Sequence, residues 1–73
     1  MNIVSRQKLE NIKKYNSVID DNLFAEVLQI CDNDLKQTLE LLSIVKHYDS
    51  KEDMIKIIKM GKDVAKAISN VTS

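Results

Sequence analysis

Residues 34–48 read DLKQTLELLSIVKHY, and this stretch decides the fold. Asp34 is a helix-capping side chain, and Gln37 three residues on completes an aspartate variant of the capping box. Behind the cap, Leu35, Leu39, Leu42 and Val45 recur at helical spacing as one apolar stripe, and Leu41, Ile44 and Tyr48 form a second. Apolar side chains therefore cover well over half the circumference. A helix this apolar belongs at the centre of a bundle, touching several neighbours. Leu35, Leu39 and Leu42 are expected in the core.

Upstream, Leu23, Phe24, Val27, Leu28 and Cys31 form another helical stripe, starting near Asp20 and ending at Asp32 and Asn33. Asp20 and Asp21 suit the positive end of that helix. A shorter helix, about residues 6–15, is expected after Ser5, with Leu9, Ile12 and Tyr15 on one face; Asn16 and Ser17 end it. Downstream, Ser50 followed by Asp53 again resembles a capping box. A fourth helix then runs over about 51–71. Met54, Ile57, Gly61, Val64, Ile68 and Val71 are spaced 3, 4, 3, 4, 3, a heptad-like seam that Ile58 and Ala65 widen. Gly61 inside the seam suggests that a second backbone approaches closely there.

Composition agrees. The 73 residues contain no proline and one glycine, so a β-rich fold would have almost nothing to turn with. With 44% hydrophobic residues and zero net charge the chain is expected to fold, as one all-α domain of four helices over 1–73: core helices in about 6–48, then a C-terminal amphipathic helix. No apolar run approaches the ~18–20 residues of a membrane span. No N-terminal stretch has a signal-peptide pattern, so a cytoplasmic protein is expected. Ten lysines against one arginine, with nine isoleucines and six asparagines, are what AT-rich coding sequence produces. Small phage or plasmid genes fit that bias, and each lysine need not be a phosphate contact. Charge is segregated, with balances of +3 over 1–19, −5 over 20–43 and +2 over 44–73. Packing within one fold can satisfy such blocks.

The inventory for chemistry is thin. Cys31 lies on an apolar stripe with no adjacent basic residue to activate it, and reads as a small buried hydrophobe. His47 sits near a helix end, where a basic side chain suits the dipole. Asp32, Asn33 and Asp34 lack the downstream glycine and glutamate of a calcium loop. No phosphate-binding glycine loop or dinucleotide fingerprint is present. Neither catalysis, nor a metal, nor a cofactor is expected. One basic stripe exists, Lys56, Lys59, Lys62 and Lys66 on the fourth helix. It carries Asp63 beside it and no arginine, whereas guanine reading favours arginine. Nucleic acid is therefore not the expected partner.

Residues 15–42 resemble a CUE or ubiquitin-associated (UBA) domain. The likeness lies in Tyr15, in Leu23-Phe24-Ala25-Glu26-Val27-Leu28, in Cys31-Asp32-Asn33-Asp34-Leu35 and in Leu39-Glu40-Leu41-Leu42. It implies a three-helix core, and it implies that Leu41 and Leu42 match the dileucine with which CUE domains touch ubiquitin. The Met-Phe-Pro motif of CUE domains is absent, with Lys14-Tyr15-Asn16 in its place, and so is the Met-Gly-Phe/Tyr loop of UBA domains.

These readings point to a small non-enzymatic protein-interaction module, a regulatory or inhibitory adaptor that binds another protein or itself as a homodimer. The expected contact residues are Met54, Ile57, Ile58, Gly61, Val64 and Ile68, with Leu41 and Leu42. The alternatives are a small DNA-binding regulator or antitoxin-like protein, resting on the lysine stripe, and a ubiquitin-type binding domain, resting on the resemblance.

Overall fold

The computed structural model describes residues 1–72, and the side-chain surroundings of all of these except 66 and 69–72. It contains four helices: α1, Ile3–Tyr15; α2, Asp21–Ile30; α3, Leu35–Val45; and α4, Lys51–Thr72. No strand occurs among the described residues. The all-α four-helix bundle expected from the sequence is what forms.

Most boundaries follow from short polar side chains. The Asp20 side chain accepts from the Leu23 N–H at 2.9 Å and caps α2. Asp34 accepts from the Gln37 N–H at 3.1 Å and caps α3. The Ser50 hydroxyl accepts from the Asp53 N–H at 3.3 Å at the start of α4. The first helix differs from expectation. Its cap is Asn2, which accepts from the Ser5 N–H at 2.8 Å, so Ser5 lies inside the first turn and α1 begins at Ile3. Asparagine caps as well as serine does, and the polar Asn2 takes the role one turn earlier.

The turn between α2 and α3 is built without glycine. Asp32 and Asn33 both adopt the left-handed conformation, with φ of 55° and 65°. The Asn33 N–H donates to the Leu28 carbonyl at 2.9 Å and the Asp32 N–H to the Gln29 carbonyl at 3.1 Å. This pattern closes a helix C-terminus, and Asp and Asn are the side chains that tolerate it best after glycine.

Helix α3 is the hub: it packs against α1, α2 and α4, whereas α1 packs on α3 and is joined to α2 by the Lys13–Asp21 ion pair at 2.8 Å. Leu39, Leu42 and Val45 of α3 are buried with Leu9 and Ile12 of α1, Leu23 and Val27 of α2, Ile19, Cys31, and Met54 and Ile58 of α4. Thr38 is buried among them, and its hydroxyl donates to the Asp34 carbonyl at 2.8 Å. Leu35 is only partly buried against this core. The second stripe of α3 stays largely outside it: Ile44 and Tyr48 are exposed and Leu41 is half-buried. Three neighbours are too few to wrap the whole helix.

The end of α1 is tied to the end of α3 by Asn16. Its amide donates to the Lys46 carbonyl at 2.8 Å and the Tyr48 carbonyl at 2.7 Å, while its own oxygen accepts from the Val18 N–H at 3.0 Å. Beside it the Tyr15 hydroxyl lies 3.1 Å from His47 Nδ1, the two rings meet edge to face, and the Lys46 ammonium sits over the Tyr15 ring. Carbonyls at a helix end have no partner within the helix. One asparagine here satisfies two carbonyls in this region and fixes where the chain re-enters the bundle.

Candidate functional site

Helix α4 is the element with surface to spare. At 22 residues it is about 33 Å long, against about 15 Å for the 10 residues of α2. Two lysines fix it along α2. Near its start the Lys51 ammonium donates to the Asp20 carboxylate at 2.6 Å, at the N-terminus of α2. Eleven residues later the Lys62 ammonium donates to the Ile30 carbonyl at 2.8 Å and lies 3.5 Å from Asp32, at the C-terminus of α2. The two helices therefore run in the same direction, and the remainder of α4 extends past the end of α2.

Between these anchors Met54 and Ile58 face inward and are fully buried, with Ile55 and Ile57 packed partly against them. Met60 and Val64 point about 120° round the helix from Met54 and Ile58. They are 59% and 58% exposed, and Ile68 further along is 59% exposed. The helix thus presents two apolar faces, one closing the core and one turned to solvent.

This geometry corrects the seam read from the sequence. Met54 and Ile58 belong to the core and have no surface for a partner. The inward direction of α4 runs through Met54 and Ile58, because residues four apart lie nearly above one another and the groove between α2 and α3 takes that pair. Met54 is thereby split from Val64, which lies on the exposed side; Ile68, fourteen residues on and nearly in line with Met54, is exposed where α4 has passed the end of α2. Gly61 is not a close-packing point within the chain: a Cβ built there would meet nothing within 4 Å. Val71 lies outside the residues whose side chains are described. Leu42 is likewise fully buried, since α3 turns it into the centre of the bundle, and cannot be a contact residue; Leu41 is partly accessible.

The lysines of α4 do not act as one patch. Lys56 and Lys59 are exposed, Lys62 is engaged with the end of α2, and the side chain of Lys66 lies outside the described residues. Lys59 and Lys62 share an open groove of about 660 Å³ with Asp32, Asp63 and Gln37, so its charge is mixed. Cys31 is buried in the core. Among the described residues no group of three His, Cys, Asp or Glu side chains is placed to hold a metal ion, and no helix is long and apolar enough to cross a membrane.

Sequence reasoning missed the Asn16 clamp, the Tyr15–His47 contact and the Met60 side chain. The first two join residues about thirty positions apart, and nothing in local spacing signals them. Met60 was legible as apolar, but it falls between the seam positions. Compared with protein-family models, curated proteins and solved structures, the chain shows no match to any of the three.

Proposed function

We propose that this chain is a small, non-enzymatic protein-interaction module, acting as an adaptor whose contact surface is the outward face of α4. The observation that carries this reading is the exposure of Met60 and Val64 on a helix whose other face already closes the core. An apolar face turned to solvent contributes nothing to folding, and apolar surface of this kind marks sites of association. The α4 lysines support a nucleic-acid reading less well, because Lys62 is held by the Ile30 carbonyl and Asp63 stands beside Lys59 and Lys62. A ubiquitin-type contact through Leu41 and Leu42 has only Leu41 with surface to offer.

The test is capture from extracts of cells that make the protein, using the tagged wild type and a Met60→Glu/Val64→Glu variant side by side. The reading expects a polypeptide that the wild type retains and the variant loses, with both folded by circular dichroism. Identical retention by the two would overturn it.

A further inference from the structure

We infer that the outward face of α4 seats the same face of a second copy, the two helices antiparallel, with Lys56 of each chain against Asp63 of the other. This rests on the reading of that face as an interaction surface and names its occupant.

Ile57, Met60, Val64 and Ala67 are spaced 3, 4 and 3, the repeat of helices packed side by side at a shallow angle, and no charged residue falls among these positions. Lys56 and Asp63 are seven residues apart, so they lie on one and the same flank of this stripe. Both are exposed, and among the described residues neither takes part in an ion pair. In an antiparallel pair related by a two-fold axis, that flank meets its own counterpart, and whatever residue i does to residue j, j does to i. Opposite charges two turns apart on one flank are what such self-pairing requires. Placing Lys56 opposite Asp63 once places it twice.

The charges also select the register. Sliding one helix by seven residues in either direction sets Asp63 against Asp63 or Lys56 against Lys56, and like charges brought together penalise that arrangement. A parallel pair would turn the Lys56 and Asp63 flank towards the flank of Gly61, where neither charge meets an opposite. In the favoured register Ile57 and Met60 of the two chains interleave at the centre. The cost falls at the ends, where Asp53 overlies the partner's Val64; Asp53 is exposed and its carboxylate stays hydrated at that rim. A chain of 73 residues has a small core, and association is one of the ordinary ways that such domains gain stability.

The experiment is sedimentation equilibrium on the wild type, on Lys56→Asp, on Asp63→Lys, and on an equimolar mixture of the two variants. Both positions are exposed, so circular dichroism should show both variants folded. The wild type should form dimers. Each variant alone replaces two attractive contacts by two repulsive ones and should associate about tenfold more weakly. The mixture should recover wild-type affinity, because every altered charge then meets its opposite. A monomeric wild type overturns the inference but leaves the capture experiment to judge the interaction face itself. Association that is the same in the wild type, both variants and the mixture overturns the register and orientation.

Discussion

The Lys62 ammonium donates a 2.8 Å hydrogen bond to the carbonyl of Ile30, in the last residue of α2. That bond marks where α4 parts from the core. Before it, Met54 and Ile58 are buried; after it, Ile68, nearly in line with Met54, is more than half exposed. A cation near helix carbonyls that lack partners is favourable. Replacing it by an uncharged chain of similar length, Lys62→Met, should cost about 1 kcal/mol of stability. The local signature is more specific: amide hydrogen exchange should speed up in α4 beyond residue 62 and stay unchanged in α1.

Asn16→Ala removes three hydrogen bonds at the junction of α1 with the end of α3. At about 1 kcal/mol each, the loss should be about 2–3 kcal/mol, a large part of the stability of a domain this small. Asn16→Asp is more damaging at neutral pH, because a carboxylate would face two carbonyl oxygens. Urea unfolding of the three proteins checks the order, wild type above Asn16→Ala above Asn16→Asp.

Gly61 lies in helical conformation with open space around it. Gly61→Ala should therefore raise stability by about 1 kcal/mol, the helix-propensity difference. A thermal melt that rises confirms the open position. A fall would mean that something packs closely on Gly61 in solution.

The Lys51 ammonium, and then the Leu23 N–H, hold the Asp20 carboxyl below its usual range. A lowered folded value means that its contribution is present above the ordinary carboxylate pKa of about 3.9 and is lost as pH falls through the lowered value. Asp20→Asn keeps a capping side chain but has no charge to protonate. Its stability should fall less steeply than that of the wild type between about pH 5 and pH 2. The difference should shrink in high salt, since the pair is exposed.

Much of the fold was legible because it rests on local rules. Asp20, Asp34 and Ser50 announce three helix starts, and the spacing of Leu39, Leu42 and Val45 names the inward face of the central helix. Asp32 and Asn33 stop α2 as expected, through left-handed backbone that the chain forms without glycine. The candidate site was legible only as a helix with excess apolar surface. Which of its two apolar faces turns inward depends on where the groove between α2 and α3 lies, and Met54 with Ile58 fit it better than Met54 with Gly61 does. The role of Asn16 depends on contacts thirty residues away, beyond the reach of periodicity.

Val64 is exposed and contributes little to the core, so Val64→Glu should leave the fold intact while setting a second carboxylate on the outward stripe, against Asp53 of the other copy. Sedimentation velocity across the micromolar range compares this variant with the wild type. Association through α4 requires that the wild type sediment at twice 8.4 kDa at the upper concentrations and that the variant remain at 8.4 kDa. A wild type that stays at the monomer mass throughout, or a variant that dimerises as well as the wild type, would contradict it.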